Sequence, residues 1–284
     1  MKTIKSFIFL FALSIGITSC SDDSNGTTPV AENPLDAYSL TSSFEANGHV
    51  LELYSEKEGL TLGYNKLYLR IKEISTGTYV PNATISWNPM MHMADKSHSC
   101  PKSKISTMAD NTVYTGFIVF QMASNADEHW ELNLEYSFGG TTYTTSKQIE
   151  VNAPTDGNRT VNVFTGTDDT RYVLAMVPFA PEVAINDFSA VLYKMDSMIS
   201  FPVVEDYSIA IDPRMPGMDN HSSPNNENLI YDRDTDSYNG KLSLTMTGYW
   251  KVNLQLLNPD GEPIKGEAVT EENESSSLYF ELEF

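Results

Sequence analysis

Apolar and polar residues alternate along most of the chain after residue 37. Alternation with a period of two is typical of β-strands that bury one face, whereas an amphipathic helix has a period near 3.6. After the first twenty residues, no segment combines a helical period with helix caps. The pattern therefore predicts an all-β protein, with its clearest strands at 50–55, 66–72, 113–122, 130–136 and 141–151.

Short turn sequences separate these strands. Asn47-Gly48 and Gly139-Gly140 each stand between two alternating segments, and both pairs favour two-residue hairpin turns. Near the middle of the chain, residues 153–158 read Ala-Pro-Thr-Asp-Gly-Asn and interrupt the alternation. Because proline and glycine end regular strands, we predict a linker at this point.

The second half of the chain repeats the first. Matching residues lie 121, 124 and 120 positions apart, at Asn65 and Asn186, Pro89 and Pro213, and Trp130 and Trp250. Such constant spacing indicates a duplicated domain. Each copy contains about seven short strands, the number in a simple immunoglobulin-like sandwich. We therefore predict two tandem immunoglobulin-like antiparallel β-sandwiches, at residues 37–153 and 158–284.

The N-terminus has the pattern of an export signal. Lys2 and Lys5 precede an apolar segment at 7–17, which is too short to span a bilayer, so residues 1–19 are predicted to be a signal peptide. Ile-Thr-Ser-Cys, ending at Cys20, resembles the lipobox of bacterial lipoproteins, and Ser-Asp-Asp-Ser after it resembles the acidic export tag of Bacteroidetes surface lipoproteins. The resemblance implies a lipid on the Cys20 thiol and an outer-membrane lipoprotein on the periplasmic or cell-surface side. Residues 20–36 are predicted to be a flexible tether.

Two segments concentrate methionine and histidine. The first, 87–101, also contains Cys100, and the second is 211–224. Thioether and imidazole groups together suit copper better than magnesium or calcium. The predicted metal ligands are Met91, His92, Met93, His98, Met215, Met218 and His221.

The geometry of these segments follows in part from the sequence. In an extended chain Met91 and Met93 point to one side and His92 to the other. In the second segment Pro216 and Gly217 favour a turn that brings Met215 and Met218 together. Alternatively, the methionines fill the open end of each sandwich. Cys100 is either a small buried apolar residue or a further ligand.

The second segment carries a family resemblance. Pro-Arg-Met-Pro-Gly-Met-Asp-Asn-His at 213–221, followed by the alternating segment 238–252, resembles the YtkA-like domain, which is related in pattern to FixH. The match covers 188–257, while the first half matches more loosely, with Met91-His92-Met93 and Glu128-His129-Trp130 in place of Met-Pro-Gly-Met and Gly-Tyr-Trp. The resemblance implies a small extracytoplasmic β-sandwich, and the family has been compared with periplasmic copper-handling proteins.

Composition and sequence motifs exclude several classes of function. A formal charge of −20 excludes nucleic-acid binding, because the surface repels phosphate. Motifs for a nucleophilic serine, a zinc protease or a phosphate-binding loop are absent, so no enzyme is predicted. His49 and His129 are isolated in the sequence and are predicted to lie at the surface or at a sheet edge. Asp232, Asp234 and Asp236 lack the glycine and glutamate of a calcium loop and predict a polar hairpin.

These observations predict a lipid-anchored protein that binds copper, or another soft metal, through its Met/His segments. Its role would be copper delivery, storage or detoxification, with the membrane and a copper-accepting or surface protein as partners. The alternative is a non-enzymatic interaction or spacer module whose methionine-rich segments contact a protein partner.

Overall fold

Antiparallel strands make up most of the computed structural model, which describes residues 33–284. The prediction of an all-β sandwich fold is confirmed. The predicted signal peptide, Cys20 and the tether up to residue 32 lie outside the described residues. Between residues 33 and 284, no helix is both long and apolar enough to cross a bilayer.

The first half of the described chain forms two antiparallel sheets. Its strands are β1 (Ser39–Ala46), β2 (His49–Ser55), β3 (Leu60–Thr61), β4 (Gly63–Glu73), β5 (Thr84–His92), β6 (Ser97–His98), β7 (Ser106–Thr107), β8 (Tyr114–Phe120), β9 (His129–Phe138), β10 (Thr141–Ile149) and β11 (Val151–Asn152). One sheet has the order β1-β2-β4-β8-β7 and the other β10-β9-β5-β6, while β3 and β11 form a short parallel pair.

The second half forms one continuous antiparallel sheet that folds over itself. Its strands are β12 (Val161–Thr165), β13 (Arg171–Met176), β14 (Ile185–Lys194), β15 (Ser208–Met215), β16 (His221–Ser222), β17 (Glu227–Asp232), β18 (Ser237–Ser243), β19 (Tyr249–Leu257), β20 (Pro263–Lys265) and β21 (Tyr279–Glu283), with a 3-10 helix at Pro216–Met218. The order is β12-β13-β14-β18-β17-β15-β19-β20, and β16 and β21 pair with β15 and β19. Because β17 pairs with both β18 and β15, it joins the two layers.

The duplication inferred from the sequence is visible in the strand order. The run β1-β2-β4-β8-β7 matches β12-β13-β14-β18-β17, and β9-β5-β6 matches β19-β15-β16. Buried hydrogen bonds repeat at the same spacing. The Tyr114 hydroxyl donates to the Val80 carbonyl at 2.7 Å, and the Tyr238 hydroxyl donates to the Val204 carbonyl at 2.6 Å. The two halves therefore share one strand topology and one buried tyrosine hydrogen bond.

Three large apolar clusters hold this structure together. One contains Trp130 and fills the first half, and a second contains Trp250 and fills the second half. The third lies between the halves, where the outer faces of β4 and β8 pack against those of β13 and β14, and it includes Phe117, Val173 and Tyr193. Residues Pro34–Phe284 consequently form one compact unit. The domain boundaries at 37–153 and 158–284 stay a prediction.

The predicted turns are present. Asn47 and Gly48 have φ angles of 54° and 81°, and the type I′ hairpin turn requires positive φ at both of its central residues. Gly139 and Gly140 adopt 56° and 81° between β9 and β10. Residues 233–236 connect the paired strands β17 and β18, as expected for a polar hairpin.

Candidate metal site

The first Met/His segment is mainly a strand rather than a loop, because β5 continues to His92. The strand pleat separates its side chains as the alternation predicts. Met91 has no exposed surface and belongs to the first apolar cluster, and Met93 packs against the same cluster. His92 lies on the opposite face of the sheet and is partly exposed. The four predicted ligands of this segment therefore do not share one face.

Met91 lies at the centre of a row of side chains that crosses three strands. It stands opposite His98 in the pairing of β5 with β6, and opposite Trp130 in the pairing of β5 with β9. The His98 ring meets the Trp130 ring edge-on, with 5.7 Å between the ring centroids. The structure thus brings Met91 and His98 together against the indole at one end of the first sandwich, with Met93 beside them.

A backbone carbonyl determines which tautomer a neutral His98 ring adopts. Its Nδ1 lies 2.8 Å from the carbonyl oxygen of Ser99. A carbonyl oxygen only accepts hydrogen bonds, so Nδ1 carries a proton, and in a neutral ring Nε2 then keeps its lone pair. Metal-binding histidines are commonly oriented in this way by a backbone carbonyl. The buried ring, which is 8% exposed, is therefore preorganised to offer Nε2 as a ligand.

The second half contains the same row. Met215 stands opposite His221 in the pairing of β15 with β16. Arg214 pairs with Lys251 in β19, and the same register continued by one residue places Met215 opposite Trp250. The Met215 side chain is 5% exposed, and its methyl group lies 3.3 Å from where a β-carbon on Gly248 would be. Glycine at this position leaves room for the methionine.

The part of each half that holds this row is called its Met/His end. The two Met/His ends differ in how far their predicted ligands are buried. Met218 is 51% exposed at the end of the 3-10 helix, and His221 is also exposed. The structure brings Met215 and His221 together by strand pairing but leaves Met218 outside the buried cluster. The first end is consequently the more enclosed of the two.

Sequence reasoning missed two methionines at these ends. The indole N–H of Trp130 donates to the carbonyl of Met122 at 2.9 Å, and that of Trp250 donates to the carbonyl of Met246 at 3.0 Å. Both methionine side chains are partly buried against the core of their own half. The signal was available, since these residues lie 124 positions apart, the spacing that also relates Met91 to Met215.

Cys100 is fully buried in the first apolar cluster, which favours the apolar role over the ligand role. Burial raises the pKa of its thiol well above the ordinary value, and the nearby Lys102 ammonium offsets only part of this rise. The thiolate is the form that binds metals. A thiol that stays protonated is a poor ligand.

Of the two histidines predicted to lie at the surface or at a sheet edge, His49 is placed differently, whereas His129 is partly exposed. His49 is buried, with its Nδ1 3.0 Å from the Tyr136 hydroxyl and its ring among the aromatic side chains of β9 and β10. His129 is not isolated, because its ring stacks against that of His92. In both cases the partner comes from a distant strand, and a linear pattern does not show it.

Among residues 33–284, no three histidine, cysteine, aspartate or glutamate side chains are arranged to hold a metal ion. A metal bound at either end would therefore depend on methionine sulfur, with one imidazole at each end.

Comparisons with known proteins do not assign a family. No family model matches the chain, and no curated protein matches it. Among solved structures, a DUF4785 family protein from Legionella pneumophila has 10% sequence identity and a TM-score of 0.26. That alignment covers 77% of this chain and 56% of the Legionella chain, so this chain matches little more than half of that protein's length.

Proposed function

We propose that the protein binds cuprous copper at the Met/His end of each half and serves in copper delivery, storage or detoxification outside the cytoplasm. The observation that carries the proposal is the repeated row of tryptophan, methionine and histidine. Trp130, Met91 and His98 form the row in the first half, and Met215 and His221 are paired in the same way in the second. Two copies of one arrangement indicate a function shared by both ends.

The chemistry of these side chains fits a soft, singly charged ion. Thioether sulfur and neutral imidazole are ligands that suit Cu(I), and neither has to lose a proton in the forms present here. A buried neutral set is also inexpensive to desolvate, whereas a buried carboxylate would cost far more. Met91 and His98 would supply sulfur and Nε2 in the first half.

Methionines at the edge of each Met/His end would provide further sulfur ligands. Met93 and Met122 are partly buried at the edge of the first cluster, and Met246 holds the corresponding position in the second half. Thioethers bind weakly, so an ion held by them exchanges readily with an acceptor protein. The formal charge of −20 raises the local concentration of cations near the surface. The proposal includes a lipid anchor at Cys20, which would hold the protein at the outer membrane.

A titration of Cu(I) into the purified protein tests this function. The titration is run under reducing conditions against a competing chelator of known affinity, which fixes the dissociation constant. We expect one equivalent for each end, and we expect Met91→Leu together with Met93→Leu to remove the first equivalent. Leucine keeps the approximate volume and removes the sulfur. Met176→Leu is the matched control, because Met176 is also buried but belongs to neither Met/His segment of the sequence.

One observation supports the alternative of a protein-interaction module. Met218 exposes half of its surface, as a methionine that contacts a partner protein would. The same titration separates the two functions. Binding no tighter than the chelator background would contradict copper handling and leave the interaction module as the better explanation.

A further inference from the structure

Two histidines meet on the outer face of the first sandwich, on the side of the sheet away from Met91. His92 in β5 stands directly opposite His129 in β9. Their rings stack with centroids 5.3 Å apart and planes inclined by 26°. Directly opposed residues of antiparallel strands have β-carbons about 4.5–5.5 Å apart, so both imidazoles start from neighbouring points on one surface.

The nitrogen atoms of His92 have unequal partners. Nδ1 lies 3.3 Å from the Ser97 hydroxyl. Nε2 is covered by neighbouring atoms and has no hydrogen-bond partner within the described part of the chain. A buried nitrogen without a partner is uncommon in folded proteins and calls for an explanation. With the proton on Nδ1, donated to Ser97, Nε2 would present a free lone pair.

Negative charge stands beside this lone pair. The Glu131 carboxylate, also on the outer face of β9, has Oε1 3.8 Å from Nε2 of His92. A carboxylate at this distance favours a cation over a neutral group at the same place. The outer face therefore combines two imidazoles with one acid, whereas the inner face offers thioethers and a single imidazole.

We propose that His92 and His129 together chelate a divalent cation of borderline softness, such as Zn²⁺ or Cu²⁺, with Glu131 supplying charge and water completing the coordination. Imidazole nitrogen binds such ions at about 2.0–2.1 Å, so two ligand nitrogens lie about 3 Å apart. Rotation of the His129 ring about χ2, a soft torsion in histidine, would bring one of its nitrogens towards Nε2 of His92, whose own ring is held by Ser97. The site takes two protein nitrogens, and among residues 33–284 no third histidine, cysteine, aspartate or glutamate is arranged with them to hold the ion.

The second half lacks this site and serves as an internal comparison. The repeat spacing places Pro216, Tyr249 and Lys251 where the first half has His92, His129 and Glu131. Proline and lysine are poor ligands here, the Tyr249 phenol stays protonated because burial and its hydrogen bond to Glu281 raise its pKa, and Lys251 reverses the local charge. The divalent site is thus specific to the first half, unlike the Met/His ends, and it does not depend on the function proposed for them.

A titration of Zn²⁺ into the purified protein, followed by NMR of its five histidines, tests the site. We expect the signals of His92 and His129 to shift together at one equivalent. Loss of an outer-shell partner alone weakens a metal site about 10–100-fold, so removing a ligand should weaken zinc binding at least as much. His92→Gln and His129→Gln supply that test, and Glu135→Gln is the control, because Glu135 is exposed on the same face of β9 but is six positions from His129.

Two further measurements make the outcome decisive. Zinc should raise the urea midpoint of the wild-type protein and leave that of His129→Gln unchanged, since a ligand that binds only the folded state stabilises it. Cu(I) binding should be the same in His129→Gln and wild type, so failure of the outer site is distinguishable from failure of the Met/His ends. Zinc affinity that is unchanged in both histidine variants would overturn the proposal.

Discussion

Met91 lies directly opposite His98 in the antiparallel pair of β5 and β6. The pairing holds a buried thioether beside an imidazole whose Nδ1 is already bonded to a carbonyl. Strand pairing fixes both backbones before any ligand is present, so the two donor groups do not have to be assembled from mobile loops. This relationship gives Met91 two separable roles, in the core and in the candidate site.

Substitutions at Met91 should separate stability from metal binding. Met91→Ala leaves a cavity in a fully buried position and should lower the free energy of unfolding by about 2–5 kcal/mol. Met91→Leu conserves volume and should cost less than about 1.5 kcal/mol while weakening Cu(I) binding. Urea denaturation followed by tryptophan fluorescence measures both. Met218→Ala is the surface control, with an expected change within about 0.5 kcal/mol. Equal losses at Met91 and Met218 would contradict the buried position of Met91.

The two ends should differ in copper affinity. His98 is buried and held by the Ser99 carbonyl, whereas His221 is exposed and must be immobilised on binding. Ordering one side chain costs about 0.5–1.5 kcal/mol, so the first end should bind up to about tenfold more tightly. Competition titrations of Met215→Leu and Met91→Leu, each retaining one intact end, measure the two constants. Equal or tighter binding at the second end would contradict an affinity gain from the preordered His98 ring.

Much of the architecture follows from local pattern. The alternation around Met91 and His92 predicts that these two side chains lie on opposite faces of the sheet, and the positive φ angles of Asn47 and Gly48 are those that the dipeptide favours. The packing between the halves also corresponds to a pattern in the sequence. In β8 four consecutive apolar residues, 117–120, predict a strand buried on both faces, and its outer residues pack against the second half.

The register between distant strands could not be predicted in this way. His92 and His129 are 37 positions apart, and their contact depends on how β5 and β9 align. The alternation excludes a slip of one residue, because such a slip would turn His129 inward. A slip of two residues keeps each side chain on its face but separates the two histidines, and no local pattern near either histidine excludes it. The burial of His98 and the exposure of His221 were likewise unpredictable. They depend on the different turns that follow Met91 and Met215, a simple hairpin in one half and a 3-10 helix in the other.

Acid should lower the stability that the loop between β20 and β21 contributes to the second half. The Ser277 backbone N–H and hydroxyl both donate to the Glu267 carboxylate, at 2.6 Å and 3.0 Å, and these bonds lower the pKa of Glu267. A carboxylate whose folded-state pKa is lowered stabilises the protein above its unfolded pKa of about 4.3, and this contribution is lost as the pH falls further. Because Glu267 is exposed, solvent screening limits the effect to about 1 kcal/mol.

The variant Glu267→Gln tests this contribution. Glu267 is ionised in both the folded and the unfolded state well above the unfolded pKa of about 4.3, so the deficit in unfolding free energy of the variant relative to wild type should be constant from about pH 6 to 7 and should shrink towards about pH 3. Urea denaturation at each pH measures the deficit, and Glu271→Gln in the same loop gives the background. A deficit that grows towards low pH would have the opposite sign and would contradict the assignment.

The thiol of Cys100 should resist alkylation in the folded protein. Burial raises the pKa of this thiol, and iodoacetamide reacts with the thiolate, so at pH 8 both access and ionisation oppose the reaction. Modification should then follow unfolding, with a rate that rises as urea approaches the unfolding midpoint. Peptide mapping by mass spectrometry distinguishes Cys100 from Cys20. An exposed cysteine introduced by Thr141→Cys supplies the reactive control. Cys100→Ala should retain Cu(I) binding, because a protonated buried thiol contributes no ligand. Rapid alkylation of the native protein would contradict the burial of Cys100. Loss of copper binding in Cys100→Ala would instead make Cys100 a ligand of the first Met/His end.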